Sequence, residues 1–437
     1  MSHSHARLDS SQLLVARSVL GGRNVAAVGA AGCGKSTLLS LIVGVARERW
    51  GHSAVVVLAW AGSAAQLVGG QTVSSLLHVS VGDVSKERIL SRILSNPPAR
   101  AAINAARLVV IDEAPTIPGR WFDRLEYVLR RLAPPTLQCR PFGGRIVFAA
   151  GDPLQLPAYR VTDESTQKGA CSERAWHDTF SSAHGDVVEL TGQHRQSGED
   201  PLLAILSRLR VGDCRDEDLA VLNSTWTDDV DDWPNFQHLR AKVCDAQAYN
   251  KKRLTAMIGA TGTFTCRDEM PPQTSNDAPR REPPDLNKVA AAAVTVKVGA
   301  QVVCTMSFGV VKTGTRGVVC SFLPEESVCC RFNGVDEVVA MPLVKFSVMD
   351  EDEQELACRW QVPILLSWAV TVSRAQGMTI SKVAVDFPCT SWTLDGLAYA
   401  ALSRAVSLSS LRVRGLTRDH VKTSATALAW YESVRSE

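Results

Sequence analysis

The chain lacks any apolar stretch long enough to cross a membrane. Its nearest approach, Val289 to Ala300, is short and interrupted by Lys297. It does not open with the apolar core of a signal peptide, although His3, His5 and Arg7 leave a transit peptide open. Twelve cysteines contain no C-x-x-C pair, and the adjacent Cys329 and Cys330 have a spacing that suits no zinc site. The expectation is a set of buried, reduced thiols in an intracellular protein. Charge of one sign is lacking too: 47 Lys and Arg against 45 Asp and Glu leave a net charge of +2. Any nucleic-acid binding must therefore come from a local groove and not from bulk charge.

At 437 residues, the chain exceeds one compact domain and suggests two or three. A hydrophobic fraction of 45% with 21% charged residues is that of an ordinary globular protein. Through about the first 200 residues, short apolar runs alternate with helical patterns. Val55 to Leu58, Leu108 to Ile111, Ile146 to Ala150 and Val187 to Leu190 read as buried strands. Ile89, Leu90, Ile93 and Leu94 mark one helix face, and Phe122, Leu125, Leu129 and Leu132 mark another. Such alternation implies a parallel sheet wrapped by helices. A similar unit returns late, with Val383 to Val385 and Leu411 to Val413 flanking the helix-like Leu397 to Ala405. In between, Gly262 to Asn287 is rich in proline and polar residues and reads as an irregular loop. Val294 to Val348 then shows short β-rich runs with glycines at the turns, a pattern that suits a small inserted barrel. The acidic run Asp350 to Glu353 reads as a solvated turn.

Three phrases carry chemistry. Gly29-Ala30-Ala31-Gly32-Cys33-Gly34-Lys35-Ser36, followed by Thr37, satisfies G-x-x-x-x-G-K-[ST] between an apolar strand-like run and an apolar helix-like run. Glycines let the backbone N–H groups turn inward on phosphates, Lys35 brings a mobile cation, and Ser36 offers a hydroxyl to Mg²⁺. The phrase implies binding and hydrolysis of a nucleoside triphosphate. Next, Leu108 to Ile111 ends in Asp112-Glu113, two carboxylates at a strand's C-terminal edge. Asp112 suits a Mg²⁺ ligand and Glu113 a group that polarises the attacking water. Finally, Gly151-Asp152-Pro153-Leu154-Gln155-Leu156-Pro157 places an amide on a loop braced by prolines, where Gln155 could meet the γ-phosphate or the water.

In this order the three phrases resemble superfamily 1 helicases, and further phrases resemble the Pif-type (petite integration frequency) family of the RecD-like branch. Gly62-Ser63-Ala64-Ala65 with Gly69-Gly70-Gln71-Thr72 is similar to its motif Ia, and Pro141-Phe142-Gly143-Gly144 to the lead-in of the third motif. His194-Arg195-Gln196 looks like motif IV. Lys297 to Val302 with Gly314-Thr315-Arg316-Gly317 looks like the start of the inserted barrel. Trp368 to Thr379 resembles motif V and Tyr399 to Ala405 motif VI, so the resemblance runs from about Leu8 to Leu416.

The resemblance implies an α/β fold of two RecA-like P-loop NTPase lobes with parallel sheets, at 1–195 and 196–437. A small duplex-splitting subdomain at about 75–104 and an SH3-like β-barrel insertion at about 294–358 go with it. It implies ATP and Mg²⁺, with Gln12 as adenine reader, and Arg195 and Arg404 approaching the γ-phosphate, Arg404 as arginine finger. Gln376 and Gly377 would couple the nucleotide cleft to the strand. Gly62, Ser63, Thr72 and Thr379 would contact phosphates of a single strand. Trp60, Trp368 and His78 are candidate stacking platforms, weighed against ordinary core packing. The implied activity is 5′→3′ translocation on single-stranded DNA, with unwinding of duplex or forked DNA, in replication, repair, recombination, telomere or G-quadruplex processing.

Some positions depart from the family pattern. Ala61 stands where motif Ia carries Thr, Ser74 where it carries His, and Ser373-Arg374 where motif V reads His-Lys. These put strand affinity and stepping in doubt, not hydrolysis. Two alternatives stay open: a viral-type superfamily 1 RNA helicase, and an ATP-gated nucleic-acid binder that does not unwind. A monomer without long terminal extensions is expected. Its compartment would be nuclear or mitochondrial in a eukaryote and cytoplasmic otherwise.

Overall fold

Residues Asn24–Gly29 (β1) are buried at every position, as a central parallel strand covered on both faces requires. Around β1, Val55–Ala59 (β2), Gln71–Thr72 (β3), Leu108–Ile111 (β4), Ile146–Gly151 (β5) and Gly185–Leu190 (β6) complete a six-stranded sheet. Its order is β3-β2-β4-β5-β1-β6, and every pairing is parallel. The computed structural model describes residues 8–79, 84–158, 169–196, 200–227, 236–270, 284–324, 326–349, 355–387 and 392–436. All four apolar runs read as strands from the sequence fall in this sheet. One is less buried than expected: β6 pairs only with β1, and this edge position leaves Val187 and Val188 half-buried.

Alternation along the strands sorts side chains onto two faces. Val25, Ala27, Val110 and Phe148 meet Val15, Val19, Leu38 and Ile42 from Ser10–Leu20 (α1) and Lys35–Trp50 (α2). Ala26, Val109, Ile111 and Val147 meet Ile89, Ile93, Ile103, Phe122 and Leu125 from the helices Lys86–Leu94, Pro97–Ala105 and Gly119–Leu132. Leu94 departs from its expected place on this face. It is the last residue of its helix, overshoots the core and is 48% exposed. Strand order then sets up the chemistry. Because β4, β5 and β1 are neighbours, the loops leaving their C-terminal ends carry Asp112, Asp152 and the Gly29–Lys35 turn side by side.

Arg145, just before β5, closes the core beneath this edge. Its guanidinium donates to Leu129 O at 2.8 Å, Phe142 O at 3.1 Å, Ile103 O at 3.3 Å and Asn104 Oδ1 at 3.4 Å. It thereby caps the C-terminal turns of two helices and holds Phe142, whose buried ring sits on a left-handed backbone at φ 51°. Arg145→Ala would strip a charged donor from each of these oxygens, of which Ile103 O keeps only Ala106 N at 3.2 Å. A loss of about 3 kcal/mol is expected, read as a lower urea midpoint for the full chain.

A second parallel set comprises Gln237–Arg240 (β7), Val383–Asp386 and Leu411–Arg414, and the helix Leu397–Leu402 beside it is buried throughout. It belongs, with the first sheet, to one compact unit of Met1–Lys242 and Thr371–Glu437. Val243–Val370 forms the other unit, with antiparallel strands around a core of Val296, Val302, Val319, Val328, Cys330 and Phe332. One of its sheets has five strands, from Gln301–Cys304 to Ile364–Leu366.

Two sequence expectations need correction. Gly262 to Asn287 is not wholly irregular: Thr261–Thr265 pairs with Ala293–Lys297, and Arg267–Glu269 pairs with Glu355–Gln361. The strand Thr-Gly-Thr-Phe-Thr buries only Phe264, so its polar alternation disguised it as loop. Residues 271–283 and the acidic run at 350–353 lie outside the described residues. The cysteines are not all buried: Cys139 and Cys244 are exposed, because each sits at a helix or turn edge facing solvent. Eleven of them are free thiols. Among the described residues, no helix is long and apolar enough to cross a membrane.

Candidate nucleotide site

After β1 the chain makes the turn its glycines allow. Gly32 and Gly34 sit at φ +86° and +81°, and a Cβ on Gly34 would lie 2.4 Å from Gln12 Nε2. Directly after Gly34, α2 begins at Lys35, so its unpaired N–H groups and positive dipole end face the turn. The Lys35 ammonium lies across the turn, donating to Gly29 O at 2.7 Å and Ala30 O at 2.8 Å. Ser36 and Thr37 are exposed beside it.

Asp112 and Glu113 follow β4 and are nearly buried, at 6% and 8% exposure. Burial, then repulsion from Glu113, hold the Asp112 carboxyl well above the usual carboxylate range despite the nearby Lys35. Two adjacent buried carboxylates with that proton affinity suit a divalent cation, whose charge would replace the proton. Glu113 adopts a left-handed backbone at φ 48°, strain that turns its carboxylate away from the direction β4 would give it. Its Oε2 accepts from Gln376 Nε2 at 3.3 Å.

Opposite the phosphate loop stand two arginines that have neutral acceptors only. Arg404, 2% exposed, donates to Ala400 O at 2.9 Å, Ser403 Oγ at 3.0 Å, Met378 O at 3.4 Å and Gln155 Oε1 at 3.4 Å. Arg195 donates to Ser403 O at 2.7 Å, and its Nε is buried without a partner. Burial, followed by the Arg404 charge, pulls Arg195 down to about 10, and burial lowers Arg404 as well. Neither has a carboxylate ion pair among the described residues. Two repelling, desolvated guanidiniums beside a lysine are costly unless a polyanion completes them. They share a cavity of about 320 Å³ with Lys35, Ser36, Thr37, Glu113 and Gln155. The donors fit a triphosphate.

A PIF1-like helicase family model matches residues 10–202. The match continues beyond it: the ATP-dependent DNA helicase PIF1 of Xenopus laevis is 30% identical over 447 residues, covering 99% of this chain. The chain is similar to PIF1-like helicases along nearly its whole length. The human protein of that name is likewise 30% identical over 98% of the chain. The chain spans 65% of the length of the Xenopus relative and 64% of the human one. Among solved structures, the Pif1 helicase of Candida albicans superposes with a TM-score of 0.85 at 26% identity, covering 98% of this chain and 99% of that one. A Bacteroides Pif1 at 20% identity and TM-score 0.78 shares the fold.

Within this PIF1-like chain the remaining expected residues are distributed as follows. Gly377 and Thr379 line the nucleotide cavity. Gln12 belongs to the capping box of α1: its Oε1 accepts from Asp9 N at 3.1 Å, and its Nε2 donates to Cys33 O at 3.3 Å. Gly62 opens a helix, and the side chain of Ser63 lies outside the described residues. Thr72 caps the short helix after β3 by accepting from Ser75 N at 3.1 Å. Of the stacking candidates, Trp368 is core at 5% exposure, Trp60 packs on Trp121 at 5.7 Å, and His78 is exposed.

Sequence reasoning missed three members of the site. Arg210 ends a helix otherwise buried by Leu202, Ile205, Leu206 and Leu209, and pairs with Asp152 at 2.8 Å. Tyr399 accepts the Ala31 N–H at 2.9 Å. Tyr431, near the C-terminus, lies 4.5 Å beneath the Arg210 guanidinium and donates to Glu189 at 2.7 Å. The only local signal was a charged residue closing an apolar helix face.

Proposed function

We propose that the chain is an ATP hydrolase and DNA helicase that moves 5′→3′ along single-stranded DNA and unwinds duplex or forked DNA. The observation that carries this reading is a pair of carboxylate-free arginines, Arg404 buried and Arg195 half-buried, facing the phosphate loop across one cavity, in a chain similar to this family. Lys35 and the N-terminus of α2 bind the β- and γ-phosphates. Water attacks the γ-phosphorus as its bond to the β–γ bridging oxygen breaks, leaving ADP and phosphate, with Glu113 drawing on the water's proton. Arg195 and Arg404 meet the charge that develops on the γ-oxygens. Ser36 and Asp112 would hold Mg²⁺, which supplies charge neutralisation at the phosphates. Gln12 is proposed as the adenine contact, and Gln376 and Gly377 as the coupling between this cleft and the strand. Gly62, Ser63, Thr72 and Thr379 are proposed as strand contacts. The antiparallel unit at 243–370 is proposed to contain the inserted small barrel at about 294–358, and the segment at about 75–104 to form the duplex-splitting element.

A monomer in a reducing, intracellular compartment is proposed, on the free thiols. Strand displacement from tailed duplexes tests the motor. With ATP, a duplex carrying a 5′ single-stranded tail is expected to separate, and a 3′-tailed or blunt duplex to stay paired. ATP-dependent binding of the tail with no separation would instead favour the gated binder. Separation of RNA-tailed duplexes alone would favour the RNA helicase.

A further inference from the structure

Asp152 is the hub of a buried cluster to which the hydrolysis scheme above gives no task. Arg210 Nη2 donates to its Oδ1 at 2.8 Å and Arg210 Nε to Oδ2 at 3.1 Å. Leu154 N donates to Oδ1 at 3.1 Å, and Tyr399 OH approaches Oδ2 at 3.4 Å. Gln155 Nε2 donates to Oδ2 at 3.2 Å. Burial pushes the Asp152 carboxyl up, but the Arg210 guanidinium overrides it and holds the group below its ordinary value. The carboxylate is therefore ionised and can only accept.

That fixes the neighbouring amide. Gln155 must turn its NH₂ group to Asp152, which leaves Oε1 on the other side. Arg404, which can only donate, meets Oε1 at 3.4 Å, so both partners enforce one orientation. Gln155 lines the nucleotide cavity. An amide oxygen there repels a phosphate oxygen but accepts a hydrogen bond from water. We propose that Asp152 is a positioning residue for hydrolysis: it holds the Gln155 carbonyl oxygen toward the nucleotide, so that Gln155 orients the attacking water and does not bind the γ-phosphate. Arg210 is the counter-charge that lets Asp152 stay ionised in the core, and Tyr399 ties the same carboxylate to the phosphate loop through Ala31 N. The inference rests on the ATP-hydrolase reading.

A double-mutant cycle on the full chain tests it. Asp152→Asn, Gln155→Ala and their combination are compared for kcat and ATP KM with single-stranded DNA present. Asp152→Glu, alone and with Gln155→Ala, keeps the charge opposite Arg210 in case Asp152→Asn does not fold. Affinity for a fluorescent ADP is measured on each. Either Asp152 variant is expected to lower kcat by about ten- to a hundredfold, because the amide is misplaced by a fraction of an ångström or free to flip. KM and ADP affinity should stay within about twofold, and neither Asp152 variant should add to the loss caused by Gln155→Ala. Losses that multiply in the Gln155→Ala background, or a folded Asp152 variant with wild-type kcat, would overturn the proposal alone. Absence of turnover by the wild-type chain would overturn it together with the hydrolase reading.

Discussion

Replacing Lys35 by alanine is expected to lower DNA-stimulated ATP turnover by about a thousandfold or more, the scale set by deleting a preorganised charge at a reacting phosphate. The structure supports so large an effect. Nζ is held at the mouth of the phosphate loop by two backbone carbonyls at 2.7 and 2.8 Å, neutral acceptors that a phosphate oxygen would replace with a charged one. Because the side chain is half-buried and its partners are neutral, folding should suffer by only about 1 kcal/mol. A phosphate-release assay reads the first effect and thermal melting the second. Single-strand binding without nucleotide should survive the substitution, which separates loss of chemistry from loss of fold. Retained turnover would mean that the loop does not bind the triphosphate.

Arg404→Ala should remove about a thousandfold or more of kcat while leaving ATP KM nearly unchanged, the pattern of a group that acts on the transition state. Arg404 is buried, and four neutral acceptors fix its direction toward Gln155 and the cavity. Its charge thus has no partner to satisfy before a phosphate arrives. Arg404→Lys is the sharper variant. It keeps the charge but loses the planar fork that spans Ala400, Ser403 and Gln155 together, so it should recover less than a tenth of the lost rate. Full recovery by lysine would reduce Arg404 to a point charge. Unfolding of both variants would mark it as structural; the absence of any ion pair to Arg404 among the described residues argues against that outcome.

What the sequence revealed is what local patterns encode. The Gly29 to Thr37 phrase carries its own geometry, since two glycines must take left-handed φ for α2 to start at Lys35. Strands β2, β4 and β5 were visible because parallel strands buried on both faces must be apolar without a break. What stayed hidden depends on residues far apart in the chain. Arg210 meets Asp152 across 58 positions, and Tyr399 reaches Ala31 across 368, so neither pairing leaves a periodic trace. Glu113 could be read as a catalytic carboxylate, but its left-handed backbone, which aims it toward Gln376, could not. Gln12 shows the reverse case. Its Asp-x-x-Gln spacing from Asp9 is a capping-box signature, and the structure forms that box. The strand at Thr261–Thr265 escaped because one buried residue in five is too weak a pattern to separate from loop.

The proposed motor couples ATP hydrolysis to single-stranded DNA, and steady-state phosphate release measures that coupling directly. Rates would be taken with no polymer, with single-stranded DNA and with single-stranded RNA, using Lys35→Ala as the blank. The expected result is slow turnover alone, strong stimulation by DNA that falls steeply with salt, and none of either in the variant. Turnover unaffected by DNA, or stimulated by RNA only, would contradict it.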